Sequence, residues 1–127
     1  MGKELEMARL ACQALDDKKG QDIKVIDIRE VSVIADYFVI ASAANANQVE
    51  AMVDSVEETL GRAGYEPKQI EGTRNSSWVL MDYEDVIIHI FDEENRLFYD
   101  LERIWRDGTV LDTDSFLKSE EPARQDE

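Results

Sequence analysis

Few side chains in this sequence could do chemistry, and they do not make up a catalytic set. A nucleophilic triad needs a histidine close to a serine or a cysteine, and the sequence contains one histidine, His89. It lies in the apolar run 87–90, whose alternation puts His89 on one face of a strand with Ile87 and Phe91. This placement favours a structural or interface histidine over a catalytic one.

The sequence also contains few residues that could bind a metal ion or a phosphate group. Zinc needs three or four converging ligands, whereas the sequence has one cysteine, Cys12, and one histidine. None of the six glycines forms a phosphate-binding GxxxxGK[ST] or GxGxxG motif. Asp82 and Asp85 flank a predicted turn and could hold Mg²⁺, although aspartates are common in turns for local hydrogen bonding. A small magnesium-dependent nucleotidyltransferase-like enzyme, with these two aspartates holding the ion, is therefore the alternative hypothesis.

The charge balance narrows the class of partner. The 127 residues include 14 Lys and Arg against 29 Asp and Glu, which gives a net charge of −15. Affinity for a phosphate backbone comes largely from Lys and Arg that displace counterions. The composition therefore argues against direct nucleic-acid binding and favours a basic partner.

Length and hydropathy predict one domain outside the membrane. With 43% hydrophobic residues the chain is typical of a globular domain with a single core. It has no apolar run of the roughly 18 residues that a transmembrane helix requires. Its first six residues are too charged for a signal peptide, so we expect a cytoplasmic protein. Since Cys12 has no second cysteine with which to pair, it is expected to pack in the core.

Hydrophobic periodicity predicts three helices and five strands. Apolar residues spaced by three and four predict helices over residues 5–15, 49–63 and 92–105. Asn45 or Asn47 can cap the second helix, and Gly20 supplies a left-handed residue beyond the first. Short β-branched or alternating runs predict strands over residues 24–28, 37–42, 68–71, 78–82 and 85–91.

The order of these elements predicts an α/β (α+β) fold with a mixed sheet. A tight turn at Tyr83-Glu84 predicts an antiparallel hairpin, while the long second helix can cross between parallel strands. The last predicted strand is apolar at nearly every position and should lie in the centre of the sheet. Residues 109–127 are acidic and poor in large apolar groups, so they are expected to form a mobile tail.

Two aromatic residues beside the predicted hairpin suggest a surface for a partner. Trp78 and Tyr83 combine an apolar body with a polar tip, a combination common at protein interfaces. Simple core filling explains Trp78 equally well, and only its exposure separates the two interpretations.

Three segments closely resemble the Iojap family of ribosomal silencing factors. They are residues 36–42 (DYFVIAS), Glu71-Gly72 followed by residues 78–91 (WVLMDYEDVIIHIF), and residues 99–105 (YDLERIW). The match in order and spacing runs from about Leu5 to Arg106. The resemblance implies a domain over residues 1–108, with a mixed five-stranded sheet flanked by helices and related to the nucleotidyltransferase fold. That fold's catalytic Gly-Ser turn is absent, since Ser42 is followed by Ala43-Ala44, and no close Asp-x-Asp pair follows.

The resemblance also implies a function without catalysis, metal or cofactor. Members of the family bind ribosomal protein L-fourteen on the intersubunit face of the large ribosomal subunit, obstruct joining of the small subunit, and so lower translation when nutrients are scarce. A homodimer is also expected, since Iojap-like proteins often form one and an edge strand invites pairing. By position, the residues that fall in the family's recognition region and last motif are Trp78, Val79, Leu80, Tyr83, His89, Tyr99, Asp100, Glu102 and Arg103.

Overall fold

In the described part of the chain, two helix-period segments and six strand-period segments form a sheet with both helices on one face. The structure is a computed structural model that describes residues 3–30, 33, 35–72, 78–92 and 108–111. The elements in chain order are α1 (Lys3–Asp17), β1 (Gln21–Asp27), β2 (Tyr37–Ala43), α2 (Ala46–Arg62), β3 (Gln69–Glu71), β4 (Trp78–Asp82), β5 (Val86–Asp92) and β6 (Thr109–Leu111). Within these ranges, neither helix has the length and apolar character needed to span a membrane.

Helix α1 ends in a Schellman motif in which Lys19 and Gly20 have roles other than those predicted. The Gly20 N–H donates to the Leu15 carbonyl at 2.9 Å, and the Lys19 N–H donates to the Asp16 carbonyl at 2.9 Å. The left-handed position belongs to Lys19, with a φ of 65°, and not to Gly20 as the sequence predicted. Gly20 is needed for space, because a Cβ there would lie 2.9 Å from Met52 Cε and 3.0 Å from the Leu15 carbonyl oxygen.

Helix α2 begins at the predicted cap and is held there by its own first turn. The Asn45 side chain accepts from the Gln48 N–H at 2.9 Å, which confirms the capping prediction for Asn45. The Gln48 amide nitrogen donates to the carbonyls of Lys18 and Lys19 at 2.9 and 3.0 Å, while its oxygen accepts from the Ala44 N–H at 2.6 Å. One side chain therefore ties the start of α2 to the end of α1.

The strands form a mixed sheet in the order β3-β4-β5-β2-β1-β6. Strands β2 and β5 are parallel, and every other neighbouring pair is antiparallel. The parallel pair lies at the centre, and β5 is buried from Val86 to Phe91, as its apolar sequence predicted. The antiparallel pairing of β4 with β5 also confirms the predicted hairpin, with Glu84 in its turn at a φ of 76°.

The two faces of the sheet carry separate apolar clusters. Helices α1 and α2 pack on the first face, together with the side chains of Val39, Val79 and Ile88. The second face carries Ile26, Ile28, Ala35, Phe38, Ile40, Ile87 and Phe91, with Trp78 and Leu80 partly buried against them. Cys12 lies in the first cluster at 0% exposure, which confirms its predicted place in the core.

The structure differs from the predicted five strands at one edge. A sixth strand, β6, pairs with β1 through the backbone of Thr109–Leu111, in a segment that the sequence assigned to the tail. Strand β1 begins at Gln21 rather than residue 24 and has an irregular register before Lys24, with Asp22 at a φ of 50°. Two predicted segments lie outside the described residues: the helix over residues 92–105, except for Asp92 at the end of β5, and the tail after residue 111.

Candidate functional site

Strand β4 brings two large apolar side chains to the second face near an edge of the sheet. Along β4, half-buried positions alternate with fully buried ones. Val79 and Met81 point toward the helices, and Trp78 and Leu80 point to the opposite face. Both residues of this second pair keep part of their surface exposed. We call Trp78 and Leu80 the β4 patch.

Acidic and amide groups lie beside the β4 patch on the edge strand β3. Opposite residues of an antiparallel pair share a face, and β3 places Glu71 opposite Leu80 and Gln69 opposite Asp82. Both β3 residues are exposed, and the Gln69 amide donates to the Glu71 carboxylate at 2.5 Å. Exposed Glu84 follows in the hairpin turn. The β4 patch is therefore bordered by negative charge.

An aromatic cluster lies behind the patch and includes the single histidine. The Trp78 Nε1–H donates to His89 Nδ1 at 3.3 Å, and the two rings are nearly parallel at 7°. Phe38 meets the imidazole edge-on with ring centroids 4.7 Å apart. Phe91 lies nearly parallel to both Trp78 and His89, with centroids 5.7 and 6.1 Å away. The hydrogen bond to His89 and the ring of Phe91 thus hold the indole against the sheet.

The surroundings of His89 fix its protonation. Because Nδ1 accepts from the indole, the ring proton of the neutral imidazole is on Nε2. His89 Nε2 is buried and has no hydrogen-bond partner among the described residues. Burial lowers the pKa of His89 from 6.5 to about 4. The imidazole is therefore neutral at physiological pH and acts as a hydrogen-bond acceptor for Trp78.

The structure separates the predicted site residues into three groups. Trp78 and Leu80 form the β4 patch, and His89, at 4% exposure, lies beneath it. Val79 and Tyr83, at 1% and 5% exposure, are buried in the core on the helix side. The remaining four predicted residues lie outside the described part of the chain: Tyr99, Asp100, Glu102 and Arg103.

Tyr83 has a core environment rather than a surface one. Its hydroxyl is buried and finds no hydrogen-bond partner in the described ranges. Burial raises the pKa of Tyr83 well above its usual value, and the nearby carboxylates of Glu57 and Glu66 add to that effect. The aromatic residues of the sequence did not show that Trp78 and Tyr83 lie on opposite faces of the sheet.

The two aspartates of the alternative metal hypothesis serve the hairpin and the sheet. Asp82 Oδ1 accepts from the Glu84 N–H at 2.8 Å, which is a local turn contact. The Asp85 carbonyl accepts from the N–H groups of Asp36 and Tyr37 at 2.8 and 3.2 Å. Within the described ranges, no three His, Cys, Asp or Glu side chains are grouped to hold a metal ion.

Two contributors to this surface are not evident from the sequence. Phe38 contacts His89 from β2, and Glu71 borders the β4 patch from β3. Both contacts depend on strand register, which places Phe38 opposite Ile87 and Glu71 opposite Leu80. The alternation within each strand could show which residues share a face, but the strand order was needed to find these neighbours.

Comparison with known proteins gives a consistent result. A family model described as "Ribosomal silencing factor during starvation" matches residues 2–127. A ribosomal silencing factor of Zymomonas mobilis is 40% identical over 106 residues, which is 84% of this chain and 80% of that protein. One from Bacillus subtilis is 35% identical, over 84% of this chain and 90% of that protein. A crystal structure of a Chromobacterium violaceum protein is similar with a TM-score of 0.78 and 33% identity, covering 83% of this chain and 87% of that one.

Proposed function

The chain belongs to the ribosomal silencing factor family, and from this we propose that it represses translation by binding the large ribosomal subunit. The contact we propose is ribosomal protein L-fourteen on the intersubunit face. A domain bound there occupies the space that the small subunit needs for joining. The activity is regulatory, requires neither catalysis nor a cofactor, and is exerted in the cytoplasm under nutrient limitation.

The β4 patch is the observation that carries this proposal. Large aromatic side chains with part of their surface exposed are the usual anchors of protein interfaces. Trp78 is such a side chain, and Leu80 extends the same apolar surface along β4. Among the described residues, the other large apolar side chains of this face are buried, including Ile40 and Phe91. We therefore propose that Trp78 and Leu80 insert into an apolar recess of the partner protein.

Charge supports a basic protein as the direct contact. Glu71 lies opposite Leu80 of the patch, Glu84 is exposed in the hairpin turn that follows β4, and the whole chain carries a net charge of −15. Complementary charge speeds encounter and rejects wrong partners. The same charge disfavours direct contact with ribosomal RNA, whose phosphates attract Lys and Arg. A basic ribosomal protein exposed between RNA segments fits this surface.

The test is co-sedimentation of the full chain with purified large ribosomal subunits at physiological salt. We expect retention of the wild-type chain and loss of joining when small subunits are added afterwards. The substitution Trp78→Ala should weaken binding about thirtyfold, since truncation of an interface anchor costs roughly 2 kcal/mol or more. Leu80→Ala should weaken it less, because it removes less apolar surface.

A matched control comes from the opposite side of the sheet. Tyr65 is also a half-buried aromatic, but it packs against the helix-side cluster and donates to Glu6 Oε1 at 2.6 Å. Tyr65→Ala should leave binding unchanged. Absence of wild-type binding would refute the proposed function, and equal losses for Trp78→Ala and Tyr65→Ala would refute the assignment of the surface.

The expected homodimer is a separate proposal. Edge strands can pair with a second copy, and β3 ends the sheet on the side of the β4 patch. Light scattering over a range of protein concentrations tests it. A constant monomer mass would contradict self-association.

A further inference from the structure

The contact between His89 and Trp78 gives the histidine a role that the sequence does not show. We infer that His89 is a positioning residue: it fixes the Trp78 indole in the orientation that the partner binds and does not touch the partner itself. The inference rests on the proposed function, because it concerns how the β4 patch is prepared for binding. It assigns to His89 an effect on affinity that passes through Trp78.

The first support is the hydrogen bond itself. Trp78 Nε1 lies 3.3 Å from His89 Nδ1, and the planes of the two rings differ by 7°. The indole N–H donates to His89 Nδ1, whose lone pair lies in the plane of the imidazole, so the bond depends on how the two rings are oriented. A rotation of the indole would break the bond. The imidazole therefore selects one orientation of a side chain that is partly exposed.

The second support is the rigidity of the imidazole. Phe38 packs against it edge-on at 4.7 Å, and the Phe91 ring lies within 3° of parallel to it. His89 is also in β5, paired with β2 on one side and β4 on the other. An acceptor held in this way loses no freedom when it fixes the indole. The fixed position of His89 in the sheet thus restricts the partly exposed Trp78 side chain.

The third support is burial, which rules out direct contact with a partner in this conformation. His89 is 4% exposed, and its neighbour across the strands on β4 is Leu80. A partner that approaches the β4 patch meets the indole and the leucine side chain before the imidazole. Any effect of His89 on binding must therefore be transmitted through the residues above it.

Preorganisation has a measurable consequence for affinity. Ordering a mobile side chain at an interface weakens binding, and holding it in place beforehand avoids that cost. The loss expected for one immobilised side chain corresponds to about a three- to tenfold change in affinity. Removal of the His89 acceptor should therefore weaken binding by this factor, less than removal of Trp78 itself.

Two substitutions separate the acceptor from the ring. His89→Phe keeps an aromatic ring beside Phe38 and Phe91 and removes the acceptor. His89→Gln removes the ring and keeps a side-chain oxygen that can accept the indole N–H. The first readout is the indole N–H resonance of Trp78 in the full chain, assigned by its loss in Trp78→Phe. The second is affinity for purified large subunits.

We expect His89→Phe to shift the indole resonance toward the position of a free N–H and to weaken binding three- to tenfold. His89→Gln should restore part of both. In the Trp78→Phe background, which has no indole donor, His89→Phe should cause no further loss of affinity. Thermal unfolding tests whether each variant is folded. If His89→Phe is unfolded, the inference is decided on His89→Gln. That variant should bind closer to wild type than Trp78→Phe does.

The outcomes distinguish the inference from the function on which it rests. If the wild-type chain does not bind, the proposed function fails. If it binds and Trp78→Phe weakens binding, but His89→Phe changes neither affinity nor the indole resonance, the positioning role is wrong. A further loss from His89→Phe in the Trp78→Phe background, equal to that in the wild type, would show that His89 acts independently of Trp78 and would also overturn it.

Discussion

Mild acid should destabilise this protein through His89, and the structure sets the size of the effect. Burial lowers the pKa of the folded imidazole to about 4, whereas the unfolded value is 6.5. Above pH 6.5 the imidazole is neutral in both states and adds no pH dependence. As the pH falls from 6.5 to 4, the unfolded chain takes up a proton that the folded chain does not, so the unfolding free energy falls. The full loss is about 3 kcal/mol, at 1.36 kcal/mol for each pKa unit.

A loss of this size is a large part of the 5–15 kcal/mol that stabilises a typical domain. Urea unfolding followed by circular dichroism at pH 7.5 and 4.5 measures it in the wild-type chain and in His89→Gln. The wild type should lose about 2 kcal/mol more than the variant over this interval. Carboxyl groups such as Asp36, whose pKa is raised by burial and by neighbouring carboxylates including Asp85, titrate in both proteins, and their effect cancels in the difference.

The acid stability of the wild type and of His89→Gln can also refute the burial of a neutral imidazole. If His89→Gln loses as much stability in acid as the wild type, the imidazole is not buried in its neutral form. The hydrogen bond from Trp78 to Nδ1 would then have to be given up as well, because a protonated imidazole has no lone pair to offer.

Three further predictions concern the helix contacts and the cysteine. Gln48→Ala should lower the unfolding free energy measured in urea by about 1–2 kcal/mol, because three backbone groups lose their partner. Exposed Asn47 is the matched control, and a similar loss in Asn47→Ala would contradict the assignment. Asn45→Ala should cost about 1 kcal/mol in the same assay, and Asn45→Asp, which keeps a capping oxygen, should restore most of it; equal losses would exclude capping as the cause. Burial raises the pKa of Cys12 to about 12, so a thiol reagent at pH 8 should label the native chain no faster than it unfolds, and rapid stoichiometric labelling would refute this.

The sequence predicted well those elements whose signal is local. Helix α2 has an uninterrupted apolar stripe and an asparagine at its start, and both the helix and the cap at Asn45 are observed. Strand β5 is apolar at every position from Val86 to Phe91 except His89, and this part of it is central and buried. These features depend on periodicity and capping, which neighbouring residues determine by themselves.

Features that depend on distant contacts were not predictable in the same way. Strand β6 has three residues and is stabilised by pairing with β1, from which most of the chain separates it. Gly20 was expected to provide backbone freedom, yet the constraint on it is space, because a Cβ there would crowd the Leu15 carbonyl oxygen and Met52 Cε. For the candidate site, the sequence grouped Trp78 with Tyr83. The packing of the helices shows that Tyr83 lies on their side of the sheet, whereas Trp78 lies with Leu80 on the opposite face.

The central pair of parallel strands affects how the protein folds during its synthesis. Strands β2 and β5 are neighbours in space, but α2, β3 and β4 lie between them in the chain. During synthesis β2 therefore emerges with an open edge, and its buried residues, among them Val39 and Ile40, have no β5 to cover them. Because pairing over such a distance is slow, the sheet can close only after about three quarters of the chain has left the ribosome. We expect early termination before Val86 to yield fragments that aggregate or are degraded.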